Sequence, residues 1–281
     1  MKITVMRTFL FALILISDLT IIAQPTSSGV LDGIYIRENA RGRKPIPYNH
    51  ESEINLMWMK RVTRVLDLRE KINHLFYYPL ETSNGMSNLI TVLRSGICSD
   101  ELTAFDPISD EFLYTFRGEE ACKIGEVTDT AYVPNEDDVM EALVINEPFP
   151  TQNVLRFRIK EDWFFDSKRG VMEARIIGIC PIEEVHDENG EYKGDRPLYW
   201  VYMPEIRHIL ASQETPSRHN DVERRTYDDL FNKRFFSSYV YKASNVYCRK
   251  VQDYKSGLEA LLEGRRIEKS MFDYEQDLWE Y

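Results

Sequence analysis

Val154-Leu155-Arg156-Phe157-Arg158-Ile159-Lys160-Glu161 opens a stretch, ending at Pro204, that reads as one continuous antiparallel sheet. Apolar and charged residues alternate at period two, as on a half-buried strand. Trp163-Phe164-Phe165 extends the pattern, and Asp166-Ser167-Lys168-Arg169-Gly170 is a turn whose glycine can adopt positive φ. Val171 to Pro181 is the return strand. Asn189-Gly190 suits a type I′ hairpin, flanked by Glu191-Tyr192 and the strand-like Leu198-Tyr199-Trp200-Val201-Tyr202-Met203. The pattern predicts a three-stranded meander.

Outward from this sheet the signals are mostly helical. From Ser52, Ile54, Trp58, Val62, Val65 and Ile72 fall near a 3.6 period, which predicts a helix with Lys60, Arg61, Arg64 and Glu70 on its other faces. Trp58 with Met57 and Met59 is bulky for one turn, and fits either a core or an oligomer contact. Pro79 disfavours helix at Tyr78 and closes the block. A second helix is expected over Met86–Ser95, with Gly96 as a left-handed C-cap. Phe112–Phe116 reads as a strand. Asn135-Glu136-Asp137-Asp138 is an acidic turn or helix start before Val139–Ile145. After the sheet, Pro204–Ser212 reads as a short helix. Thr226 with Asp229 resembles a capping box, and Ser256-Gly257-Leu258-Glu259 is another. Tyr227, Phe231, Phe235 and Tyr239 recur every four residues. The aromatic, acidic segment from Met271 to Tyr281 either packs on its own domain or fills a groove on another subunit. The expected fold is α+β: an antiparallel β-meander packed with several helices, an extended N-terminal arm and a C-terminal tail.

Residues 1–23 read as a signal peptide, with Lys2 and Arg7 before a short apolar run and Ala23 at the cleavage position. Asp18 interrupts the run, which is shorter than the ~20 residues of a spanning helix. The 281-residue chain has a formal charge of −11. Without the leader, 258 residues remain at −12, because two basic and one acidic residue leave with it. That length supports a substantial core. The acidic total argues against sequence-independent binding to nucleic acid or anionic lipid. Residues 24–50 read as an extended arm or linker. Arg37, Arg41, Arg43 and Lys44 are basic within an acidic protein, and Pro45 and Pro47 stiffen the segment. It could be a solvated leader or an arm that reaches an acidic neighbouring subunit. Residues 51–281 form the expected α+β domain.

Sequence motifs for catalysis are absent: no GxSxG, HExxH, P-loop or GxGxxG occurs. The five histidines are scattered, and the acidic loop around His186 fails the calcium-loop pattern at Tyr192. No catalytic, metal or cofactor-binding residue is assigned. Cys98, Cys122, Cys180 and Cys248 permit two disulfides of undetermined pairing in an oxidising compartment, or pack as small apolar residues. The best enzymatic candidate is a periplasmic hydrolase using Cys98 as a nucleophile with a distant histidine such as His74, or else an acidic pair, and nothing in the sequence supplies the base a thiol needs. A monomeric module binding peptidoglycan or another ligand is the third class. The 16 Tyr, 14 Phe and 4 Trp favour an assembly surface instead.

The wording of the meander, EDWFFDSKRGVMEARIIGICPI (Glu161–Ile182), resembles the GldN/PorN family of type IX secretion and gliding motility. A second block, GRKPIPYNHESEINLMWMKRVTRVLDLREKINHLFYYP (Gly42–Pro79), and a third, Pro197–Ser212, match in the same order, with weaker likeness to about Tyr247. The resemblance implies a non-enzymatic periplasmic protein that needs no cofactor. It implies a ring built with a GldK/PorK-type lipoprotein under the outer membrane, and a further contact with the periplasmic part of a GldM/PorM-like inner-membrane component. The residues expected at such interfaces are Arg41, Arg43 and Lys44 of the arm, Trp58, the phrase residues Trp163, Phe164, Lys168 and Arg169, and Trp279. A ring needs two different faces on each protomer, and a basic arm against an acidic body suits that contact.

Overall fold

The structure is a computed structural model and describes residues 42–278 except 84, 135–139, 148, 188–189, 218–219 and 221; for 127–147 it describes the backbone. The strands in chain order are β1 (Leu56–Asp67), β2 (Ala104–Phe105), β3 (Thr115–Phe116), β4 (Val127–Pro134), β5 (Met140–Glu147), β6 (Val154–Asp166), β7 (Val171–His186), β8 (Tyr192–Pro197), β9 (Trp200–Tyr202) and β10 (Tyr239–Ala243). The helices are α1 (His74–Tyr77), α2 (Leu89–Cys98), α3 (Gly118–Cys122), α4 (Met203–Ser212), α5 (Tyr227–Asn232) and α6 (Gly257–Asp277). An antiparallel eight-stranded sheet runs β10-β1-β6-β7-β9-β2-β3, with β8 also paired to β7. β4 and β5 form a separate two-stranded hairpin.

The meander forms as its alternation predicts. β6 and β7 are in register from Val154↔Glu183 to Asp166↔Val171, and the turn closes with the Gly170 N–H donating to the Asp166 carbonyl at 2.8 Å. Gly170 has φ +65°, the conformation glycine tolerates best. The third lane is two strands rather than one. β8 pairs with the far half of β7, which continues past Pro181 to His186, and β9 pairs at Gly178 and Ile179.

The helix expected from Ser52 is a strand. β1 pairs with β6 over its whole length, Trp58 opposite Phe165 and Leu66 opposite Phe157. Directly opposed residues share a face, so Trp58, Val62 and Leu66 point the same way, with Lys60 and Arg64 between them. Arg64 is buried: its Nε donates to Ser238 Oγ at 2.8 Å and its Nη2 reaches Glu268 at 2.8 Å. Charged residues at inward positions hid the period-two pattern, and the spacing of Trp58, Val62 and Val65 imitated a helix. The Tyr227–Tyr239 period is likewise only partly helical. α5 ends at Asn232, Arg234 takes φ +52°, and Tyr239 begins β10. The Phe112–Phe116 strand shrinks to Thr115–Phe116. Gly96 lies inside α2 rather than at its cap, and the lack of a Cβ there lets Leu102 pack against the helix, where a Cβ would come within 2.6 Å of it.

The Thr226 capping box forms in full. α2, α4 and α5 cover the main core, where Phe76, Phe157, Tyr227 and Phe231 are buried. A smaller core of Val62, Val240, Ala243 and Met271 lies beneath α6, which approaches β10 closely at Gly264. Cys98 and Cys122 form a disulfide joining α2 to α3, while Cys180 is buried and Cys248 exposed, both as thiols. The leader and residues 24–41 lie outside the described residues.

Candidate assembly surface

The expected interface residues divide into inward-facing and outward-facing ones. Trp58 stacks on Tyr274 of α6 at 4.9 Å between ring centroids, so the Tyr274 ring packs on its own sheet, while Phe272 is exposed. Trp163 donates from Nε1 to Glu161 at 3.0 Å and lies under the Arg234 guanidinium at 5.0 Å. Glu161 is fully buried, and Arg234 supplies its counter-charge at 3.1 Å. Phe164 is buried beside Arg175. Arg169 is held by three carboxylates, Asp166 and Glu51 at 2.5 Å and Glu173 at 2.7 Å. Lys44 and Lys168 are exposed. Arg41 and Trp279 lie outside the described residues.

The described part of the arm is docked. Residues 44–49 run past the half of β7 that no strand pairs on its outer side. There Tyr48 sits between two guanidinium groups, Arg207 at 4.0 Å and Arg175 at 4.8 Å from its ring centroid. Burial pushes the Tyr48 phenol up from its ordinary pKa, and the two guanidiniums oppose this. Arg207 is itself buried and bidentate on Asp228, at 2.8 and 3.1 Å. Arg43 reaches the Arg224 carbonyl at 3.0 Å and Asp229 at 3.3 Å. Sequence reasoning missed Tyr48, Arg207 and Asp228, which are 159 or more residues from the arm or singly unremarkable, and no local signal links them.

Besides Ile108, Leu113 and Tyr114 of the 106–114 loop, outward-facing apolar side chains gather in two places. Ile54, Met57 and Met59 are exposed around the start of β1, with Met57 and Met59 on the side opposite Trp58. At the other place, β10 pairs with β1, and among the described residues no strand joins its outer edge, while Gly264 of α6 lies against the Val240 backbone. Against that edge lies a groove of about 380 Å³ between Tyr239–Tyr241, Val251 and the first turns of α6 (Ala260, Leu261). Leu258 and Leu262 are exposed beside it. Its rim is basic. Lys255 pairs with Glu259 at 3.1 Å, Lys250 lies over the Tyr241 ring at 5.6 Å, and Arg249 lies over Tyr247 at 4.4 Å.

The chemistry expected of a nucleophile does not assemble at Cys98, because its sulfur is bonded to Cys122 and has no thiolate. Burial pushes the Cys180 thiol up to about 12, which leaves it an inert core group. Burial also lowers the Lys160 pKa; its ammonium donates to the Asp110 carbonyl and lies 5.0 Å from the Phe112 ring, bracing the 106–114 loop. Among the described residues no three His, Cys, Asp or Glu side chains gather as a metal site, and no helix is long and apolar enough to cross a membrane.

No curated protein matches the chain. The family model for gliding motility associated protein GldN matches residues 51–280, a span that takes in the whole eight-stranded sheet, the hairpin and α6. The chain therefore belongs to the GldN family, components of the gliding-motility and type IX secretion apparatus.

Proposed function

We propose that this protein is a non-enzymatic periplasmic subunit, exported by a cleaved signal peptide. It co-assembles with a GldK/PorK-type lipoprotein into a ring at the outer membrane, which supports protein secretion and gliding. Contact with the periplasmic part of a GldM/PorM-like component belongs to the same proposal. The observation that carries it is the family match across residues 51–280. The surface is consistent with that role: a sheet edge left open, apolar side chains beside it, and a docked arm leading toward the N-terminus.

The deciding experiment is size-exclusion chromatography with light scattering on the purified exported protein, alone and with its lipoprotein. A stoichiometric complex containing several copies of each is expected. A protein that stays solitary beside the lipoprotein, or that hydrolyses cell-wall fragments, would overturn the reading.

A further inference from the structure

Resting on the assembly reading above, we propose that the β4–β5 hairpin of one copy lies along the open edge of β10 in the next. It would occupy the groove beside the first turns of α6. The contact joins two different surfaces of the same chain.

The hairpin calls for a partner. Its two eight-residue strands pair with each other from Val127↔Glu147 to Pro134↔Met140, and neither joins the main sheet. Among the described residues, no other strand or helix has an extensive backbone approach to it. An isolated two-stranded hairpin is at best marginally stable in water. Ala142-Leu143-Val144-Ile145 is a continuous apolar run within β5, the composition of a strand covered on both faces. Both outer edges of the hairpin carry unpaired backbone groups, which seek another strand.

The charges identify the occupant. From Ile124 to Leu155 the chain has seven acidic residues and no Lys, Arg or His. From Tyr239 to Leu261, the segment that builds β10 and lines the groove, it has four basic residues and two acidic, Asp253 and Glu259. Lys242, Arg249 and Lys250 have no carboxylate within ion-pair range among the described residues, while most arginines of the sheet do. An acidic, apolar, edge-bearing ribbon and a basic-rimmed apolar groove beside an open edge are complementary in charge, polarity and hydrogen bonding. Strand addition to an exposed edge is an established mode of peptide recognition.

The two surfaces lie on different parts of the fold. The hairpin's base is clamped where Gly125 meets the Phe149 ring and Leu198, just ahead of β9. β9 stands four places from β10 in the sheet, roughly 19 Å at the usual strand spacing. A contact between unlike patches is heterologous, and repetition closes it into a ring when the rotation permits.

Two charge-reversed full-length variants test this. The groove variant carries Arg249→Glu, Lys250→Glu and Lys255→Glu. The hairpin variant carries Asp129→Lys, Glu141→Lys and Glu147→Lys. Sedimentation velocity follows self-association, alone and with the lipoprotein, and circular dichroism confirms folding. Each variant alone should associate about tenfold more weakly or worse, because the two strands, whose acidic residues are Asp129, Glu141 and Glu147, then meet a groove of their own sign. An equal mixture should recover association, since every contact in an alternating assembly is again between opposite charges. Wild-type-like assembly of either variant alone, or no recovery on mixing, refutes this contact while leaving the assembly reading intact. A hairpin variant that loses the lipoprotein but self-associates normally assigns the hairpin to the lipoprotein and also refutes it. A wild-type protein that is monomeric in both settings sinks both readings.

Discussion

Replacing Tyr48 with alanine should release the arm without unfolding the domain. The Tyr48 ring bridges Arg207 at 4.0 Å and Arg175 at 4.8 Å, and it is half-buried. Each cation–π contact at a partly exposed site contributes about 0.5–1 kcal/mol. The ring's lost apolar burial brings the total to about 2 kcal/mol. A change of that size raises the undocked population roughly 30-fold, at about 1.4 kcal/mol per factor of ten. Trypsin reads this population at the Arg43–Lys44 bond, since Lys44 is followed by Pro45 and resists cleavage. Arg43 must leave the Arg224 carbonyl and Asp229 before it can enter a protease. When opening and closing are fast relative to cutting, the rate follows the open fraction. Tyr48→Phe should keep most of the protection, because the guanidiniums contact the ring. The melting temperature should fall by only a few degrees, about 2–4 °C per kcal/mol in a domain of this size, because Tyr48 belongs to neither core cluster. Wild-type cleavage kinetics in the alanine variant, or a phenylalanine variant as labile as alanine, would refute the reasoning.

Truncating Asp228 to alanine strands the buried Arg207 guanidinium and should cost about 3–5 kcal/mol; a denaturant midpoint checks this, and adding Arg207→Met should return a large part of the loss. Replacing both Cys98 and Cys122 with alanine opens a loop with a sequence separation of 24. It should lower unfolding free energy by about 3 kcal/mol on the chain-entropy argument; co-purification with the lipoprotein should survive at low temperature. The Asp166 carboxyl is held below its usual range, first by the Arg169 side chain and then by turn amides. A depressed carboxylate stabilises the fold above its unfolded pKa of about 3.9 and loses that effect as pH falls through the folded value. Asp166→Asn should therefore lower the melting temperature at neutral pH and converge on wild type only as pH falls through the depressed folded value, followed by calorimetry across pH.

Local patterns foretold the elements whose stability is local. The β6–β7 hairpin follows from alternation plus a glycine turn, and α5 begins where Thr226 and Asp229 cap one another. β1 was illegible because its inward positions include Lys60 and Arg64, and Arg64 finds its acceptors in Ser238 and Glu268, 174 and 204 residues away. A periodicity argument assigns every charge to solvent, and fails where a distant partner makes burial tolerable. The disulfide pairing was equally hidden, since proximity of Cys98 and Cys122 depends on how α2 and α3 pack.

Family membership, the meander and the sign of the charge on each segment belong to the linear chain, because each rests on residue identity and short-range spacing. Tertiary structure alone decided that Trp58 and Trp163 face inward, that Tyr48 bridges Arg175 and Arg207, and that β10 is left as an open edge beside a groove. Exposure of a side chain or a strand edge depends on what lies across space from it, and contacts between residues a hundred or more positions apart leave no periodic trace.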